Sequence, residues 1–208
     1  MSLVTNPLIH ISDLAHRYGE RSIFLDLSFD ISRGNVCLIT GPSWVGKTTL
    51  LSLVWGIVKP QSGSIEYDPI LLPREYGFWY ALIDGPFFES LTVMENILLL
   101  ESFSWSKIDR SYLQELLIYW EIDWLATRTV ISLSVWQRER VNFVRALVHR
   151  PKVVILDEPW ANLDRHLFDK LLSIIQKDTQ DNGTAYVIVS HDSRFIQIAS
   201  EHIELTTP

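Results

Sequence analysis

The sequence predicts a layered α/β domain around a largely parallel sheet, and three observations carry that expectation. Short, almost wholly apolar runs recur: VCLIT (36–40), VVILD (153–157) and AYVIVS (185–190). Such runs suit strands buried on both faces, because a parallel sheet is covered by helices on either side. Between them lie stretches with apolar residues at helical spacing, so strands alternate with helices. The third observation is local order: VCLIT leads at once into a glycine-bounded loop, GPSWVGKTT (41–49), and then into a helical segment.

The elements follow in turn. Residues 8–14 (LIHISDL) and 22–31 (SIFLDLSFDI) alternate apolar and polar, as half-buried strands do, and HRYGER between them is expected to turn, carrying Tyr18. Gly34-Asn35 turns the chain into VCLIT, and residues 47–57 should form a helix entered from the loop. After Pro60, a Ser-Gly turn and SIEY (64–67) predict a short strand; the aromatic stretch YGFWYALI (76–83) follows without a clear period. From Leu91 the character changes. TVMENILLL and DRSYLQELLIYW have helical spacing, which sets a helical subdomain at 84–133 within a core formed by 1–83 and 134–208. SLSVWQRERVNFVRALVHR (132–150) predicts a helix capped by Ser134 and stopped by Pro151. Beyond VVILD a helix is expected over 164–178, then the AYVIVS strand, a short helix in DSRFIQIAS and a last strand in HIEL.

Composition narrows the function. The chain has 208 residues, 47% of them apolar, enough for a real interior. Its longest apolar runs, such as ILLL (97–100), fall far short of the ~18–20 residues of a membrane-spanning helix. The N-terminus lacks a secretory pattern and Cys37 is the single cysteine, which together imply a reducing, cytoplasmic setting. Net charge is −7 and the basic residues are scattered, the densest group being Arg138, Arg140 and Arg145 on one expected helix. Bulk nucleic-acid binding needs a coherent basic face, so no nucleic-acid partner is expected. Eight tryptophans are many for this length, and packing is their first explanation.

Two motifs carry chemistry. Gly41, Gly46, Lys47 and Thr48 fit G-x-x-x-x-G-K-[ST], flanked by the strand and helix that such a loop requires. Backbone amides of such a loop surround phosphate, the lysine reaches the β and γ oxygens, and the threonine hydroxyl ligates Mg²⁺. The second motif is VVILDEP, a strand ending in Asp157 and Glu158. One carboxylate can support Mg²⁺ while its neighbour polarises an attacking water.

At this point the chain resembles the ATP-binding cassette (ABC) ATPases over nearly its whole length. The matching pieces stand in family order: Tyr18, GPSWVGKTT, LTVMEN, LSVWQRERVNFVRAL, VVILDEPWANLD and VSHD. The resemblance implies a P-loop NTPase core of RecA type, with an N-terminal antiparallel β-subdomain and an inserted α-helical subdomain. It implies ATP and Mg²⁺ as ligands, held by Gly41, Pro42, Ser43, Trp44, Val45, Gly46, Lys47, Thr48 and Thr49, with Tyr18 stacking on adenine. Thr48 and Asp157 would serve the metal; Lys47, Glu158 and His191 would serve hydrolysis. Ser134 would cap the ATP of an opposing subunit, and Asp164 would lie on the loop that crosses between subunits. The implied partners are a second ABC ATPase subunit, identical or different, and separate membrane-spanning transporter subunits. The implied place is the cytoplasmic face of the inner or plasma membrane. The chain ends soon after HIEL, which favours compact single cassettes over those with an appended regulatory domain.

Three departures from the family pattern stand out. Trp44 occupies a usual glycine position, and the LSGGQ signature reads Leu133, Ser134, Val135, Trp136, Gln137. The glutamine expected about nine residues before the LTV-like segment is replaced by Ile83, beside Asp84. The chain thus keeps its own hydrolytic half and alters the half lent to a partner, so slow ATP hydrolysis is expected. Trp44 and Trp136 are expected to face one another across a closed dimer. The other functional class is an ATP-responsive scaffold with little turnover.

Overall fold

The structure is a computed structural model and describes residues 7–71, 78–82, 87–99, 101, 107–158 and 165–206, with the backbone alone for 78–82. Among the described residues, five parallel strands form the central sheet: β3 (Val36–Thr40), β5 (Phe78–Leu82), β6 (Val153–Asp157), β7 (Ala185–Val189) and β8 (Glu201–Glu204). Their order is β5-β6-β7-β3-β8. A second sheet, order β2-β1-β4, is antiparallel and comes mainly from the N-terminus: β1 (Ile9–Tyr18), β2 (Arg21–Ile31) and β4 (Ser62–Tyr67). Five helices lie within the described residues: α1 (Lys47–Trp55), α2 (Val93–Leu98), α3 (Arg110–Tyr119), α4 (Val135–Leu147) and α5 (Arg165–Asn182).

The apolar runs serve two cores at once, which is why they show no polar alternation. Val36, Leu38, Val154, Leu156, Tyr186 and Ile188 face a core shared with α2, α3, α4 and α5. Their neighbours Cys37, Ile39, Val153, Ile155, Val187 and Val189 face the other way, onto α1 and the antiparallel sheet. The Cys37 thiol is buried here, and desolvation pushes its pKa up to about 12, so it carries no thiolate reactivity at neutral pH.

The structure corrects the reading of the first hairpin. β1 does not stop near residue 14; it continues to Tyr18, and the turn is only Gly19 and Glu20. The cause is a bulge. The register shifts after Ile11, Asp13 takes a left-handed conformation (φ 49°), and its amide donates to Ser28 Oγ at 2.8 Å. An extra residue reverses the alternation, so Ile9 and Ile11 point inward before the bulge, and Leu14 and His16 after it. The aromatic stretch is also a strand, β5, at the sheet edge beside β6. Helix α5 runs four residues beyond the expected end, and the helix expected in DSRFIQIAS is a 3₁₀ turn, Ser193–Gln197.

Helix α4 begins as expected. Ser134 is its N-cap, its hydroxyl accepting from the Gln137 amide at 3.3 Å while the Gln137 side chain accepts from the Ser134 amide at 2.9 Å. The three arginines of this helix are engaged within the fold. Arg138 makes a two-pronged contact with Glu89 at 2.5 and 2.9 Å, Arg140 donates to the Trp120 carbonyl at 3.2 Å, and Arg145 lies 4.9 Å from the Phe87 ring centre. Glu121 joins α3 to α5 through Lys170 and His166. No helix among the described residues is long and apolar enough to cross a membrane.

Candidate nucleotide site

Three adjacent strands, β6, β7 and β3, end side by side, and each delivers functional groups at its carboxyl end. In open parallel sheets that edge is where ligands bind. β3 runs into the loop 41–46, whose glycines take conformations that exclude a side chain: φ is 143° at Gly41 and 110° at Gly46. Gly46 is the N-cap of α1, so the loop delivers the first-turn amides of that helix toward the cleft. Val45 is buried and anchors the loop from below, while Ser43 and Trp44 stand at its exposed crest.

Trp44 adopts φ 69° with 86% of its surface exposed, so it bears the left-handed backbone cost without gaining burial. Its carbonyl accepts from Arg21 Nη2 at 2.9 Å, tying the loop to the first hairpin. Left-handed geometry costs an ordinary residue about 1 kcal/mol relative to glycine. Trp44→Gly is therefore expected to raise the thermal midpoint by about 2–4 °C. Trp44→Ala keeps the Cβ and should leave the midpoint within about 1 °C of the parent; thermal unfolding of the two variants checks both.

Lys47 curls back over its own loop. Its ammonium donates to the carbonyls of Gly41 (2.8 Å) and Pro42 (3.1 Å) and to His191 Nε2 (3.0 Å). The same Nε2 thus faces an ammonium on one side and the Glu158 carboxylate on the other. The Glu158 carboxylate also holds His191 through its backbone amide, at 3.3 Å, with Oε1 lying 3.2 Å from Nε2. Glu158 itself has φ 45°, and its amide donates to the Val189 carbonyl at 2.8 Å. That bond turns its side chain across the end of β7 toward His191.

Thr48 Oγ1 lies 3.4 Å from Asp157 Oδ2. Among the described residues no cluster of three or more His, Cys, Asp or Glu forms a metal cage. Two hard oxygens at the mouth of a phosphate loop instead suit Mg²⁺, which keeps waters and shares its remaining positions with substrate phosphates.

The site thus brings together Gly41, Pro42, Lys47, Thr48, Asp157, Glu158 and His191. Thr49 lies half-buried within α1. Tyr18 flanks the site: it pairs in register with Arg21, the residue that binds the Trp44 carbonyl, and it is 55% exposed. Ser134 stands elsewhere, in the α4 cap, with Val135 and Trp136 exposed beside it. Asp164, Ile83 and Asp84 lie outside the described residues.

Comparison with known proteins points to one family. The family model described as ABC transporter matches residues 24–161, from β2 through the loop and α4 to just beyond Glu158. The chain is 28% identical over 200 residues to the Fe(3+) ions import ATP-binding protein FbpC 2 of Haemophilus influenzae, covering 91% of this chain and 56% of that protein. It is 33% identical over 200 residues to the sulfate/thiosulfate import ATP-binding protein CysA of Burkholderia mallei, covering 88% and 55%. The chain therefore spans little more than half the length of these relatives. Among solved structures, an ATP-binding cassette in a dimeric post-hydrolysis state bound to ADP and Pi superposes with a TM-score of 0.82 at 23% identity, covering 96% of this chain and 94% of that one. For cbiO1 of Clostridium perfringens, part of the ABC transporter complex cbiONQ, the TM-score is 0.79 at 26% identity, covering 98% and 86%. A family match over more than half of the sequence, on the residues that build the loop and both carboxylates, means that this chain belongs to the ABC transporter family.

Proposed function

We propose that the chain is the ATP-binding and ATP-hydrolysing subunit of an ABC-type membrane complex, in which nucleotide-driven closure of two cassettes moves separate membrane subunits. The observation that carries this reading is the convergence of Lys47, Thr48, Asp157, Glu158 and His191 at the ends of three neighbouring strands. ATP enters as Lys47 turns from the Gly41 and Pro42 carbonyls to the β and γ oxygens, and the loop amides close around the phosphates. Thr48 and Asp157 would hold Mg²⁺, which supplies charge neutralisation at those oxygens. Glu158 accepts the proton of the attacking water, and His191, released by Lys47, meets the γ-phosphate. Tyr18 offers its ring to the base.

The second half of each site comes from a partner cassette, identical or different, through Ser134 at the N-terminus of its α4. In this chain the Ser134 amide is already taken by Gln137, and Val135 and Trp136 project where small residues would leave room. A site capped by this chain is therefore slow, since a missing phosphate-facing donor costs about 10²-fold or more in rate. Asp164 belongs to the loop crossing between subunits, and segment 84–133 forms the helical subdomain that meets the membrane subunits. Such a chain works on the cytoplasmic face of the membrane. The import functions in the names of the curated relatives make a solute importer the reading they favour, with the solute set by the membrane subunits.

Phosphate release by the purified chain, measured beside equilibrium ATP binding, tests this reading. Slow release that requires Mg²⁺ is expected. Saturable ATP binding without multiple turnover would favour the other reading, an ATP-responsive scaffold, to which the altered signature and missing glutamine lend weight.

A further inference from the structure

His191 stands just beyond β7, and its ring and its backbone are held by different groups. The ring meets Lys47 and Glu158, the two side chains that turn to phosphate and water in the proposed mechanism. The backbone is held from both sides. Before it, the buried Ser190 donates its amide to the Ile39 carbonyl at 3.2 Å, and its hydroxyl accepts from the Asp192 amide at 3.1 Å. After it, Arg194 grips the Asp192 carboxylate: Nε lies 3.0 and 2.9 Å from the two oxygens, Nη2 lies 2.6 Å from Oδ2, and the Arg194 amide donates to Oδ1 at 2.9 Å. The hydrogen bonds from Arg194 hold the Asp192 carboxyl below its ordinary range, so the pair is ionised at neutral pH. The guanidinium also lies 3.6 Å from the ring centre of Phe168, a fully buried residue of α5 that packs against Phe195 at 5.0 Å. A partly exposed ion pair does little by itself. A planar fork that meets a carboxylate along its edge and a buried ring on its face is different, because it has one orientation and fixes the carboxylate with it.

We propose that Arg194 is a positioning residue for His191: by pinning Asp192 to α5, it keeps the imidazole at the γ-phosphate once Lys47 has moved to the nucleotide. The inference rests on the γ-phosphate reading of His191. When Lys47 leaves, the ring loses its neighbour at 3.0 Å, and the turn 190–195 remains as its anchorage. That turn is tied to β3 through Ser190 and to α5 through Arg194. Loosening one of the two ties shifts the imidazole, and a small displacement is enough to spoil a contact that depends on distance and direction. The phosphate loop belongs to another segment, so Arg194 should matter for the third phosphate and not for the first two.

The test is calorimetric titration of ADP and of the non-hydrolysable β,γ-imido analogue of ATP into the parent chain, Arg194→Ala, His191→Ala and the double variant. His191→Ala should lower the preference for the analogue over ADP by about 3- to 10-fold, the scale of one hydrogen bond. Arg194→Ala should lose most of the same preference, with ADP affinity within about twofold of the parent. The double variant should match His191→Ala, because a residue that acts through another adds nothing once that one is gone. A preference kept in Arg194→Ala but lost in His191→Ala overturns the role of Arg194 and leaves the γ-phosphate contact standing. Losses that add in the double variant, or equal losses for ADP and the analogue, also overturn it, because they mark a role in packing. If His191→Ala keeps the parental preference, the γ-phosphate contact itself falls, and the positioning role with it. Thermal unfolding checks that each variant folds; Arg194→Gln, which keeps a flat amide over Phe168 without the charge, replaces Arg194→Ala should the smaller side chain not fold.

Discussion

Glu158→Gln should lower phosphate release by about 10²–10³-fold while ATP continues to bind, because in the proposed mechanism Glu158 takes the proton from the attacking water. Glutamine keeps the size of the side chain and one carbonyl oxygen, so the contact with the His191 amide at 3.3 Å survives. The backbone bond from residue 158 to the Val189 carbonyl is untouched. Both Glu158 and His191 are substantially exposed, at 33% and 52% of their side-chain surfaces, so their contact contributes little to stability. The variant should therefore unfold within about 1–2 °C of the parent. Loss of turnover with binding and stability retained separates a chemical role for Glu158 from a structural one. A variant that hydrolyses ATP at the parental rate removes Glu158 from the mechanism.

Gly46→Ala should have the largest effect on the loop. At φ 110° an alanine lies outside the usual left-handed well, and its Cβ would run into the Ile23 side chain and come within 3.1 Å of the Phe24 ring. Strain and overpacking together cost about 3 kcal/mol, or about 6–12 °C in thermal midpoint. The backbone can relieve the clash only by lifting α1 from the first hairpin, which moves the amides that surround phosphate. ATP affinity should fall by at least about 10-fold, a consequence of displacing more than one phosphate contact. A parental midpoint together with parental affinity would mean that the loop is far more pliable than its packing against Ile23 and Phe24 implies.

The candidate site was legible in the sequence because most of its residues are adjacent along the chain. Gly41 to Thr48, Asp157-Glu158 and the Ser134 cap are each local patterns whose spacing already fixes a loop, a strand end or a helix start. What stayed hidden depends on the arrangement between segments. The strand order that sets β6, β7 and β3 side by side is not written in any one of them, so the contact of Lys47 with His191 was out of reach. The bulge at Asp13 reverses the alternation of β1, and reading period two straight through would leave His16 on the solvent side and Tyr18 in a turn. The signal available was weak: an apolar alternation that fails at Asp13 and resumes at Leu14. β5 is rich in aromatics without a period, and its place beside β6 is again a property of the assembled sheet. Trp44 was conspicuous from the sequence, but its left-handed backbone and near-complete exposure come from the folded loop.

In the proposed function the chain's own hydrolytic half is sound and the half it lends to a partner limits the rate. Replacing Val135 and Trp136 together with glycine addresses it directly, since both side chains are exposed at the α4 N-terminus and away from Lys47, Asp157 and Glu158. Steady-state phosphate release by the purified double variant should rise by about 10-fold or more over the parent, the scale of one recovered phosphate-facing donor. Tripolyphosphate affinity should stay that of the parent. A variant that folds, binds nucleotide and releases phosphate no faster than the parent would contradict the account, because the limit would then lie within the chain's own half of the site.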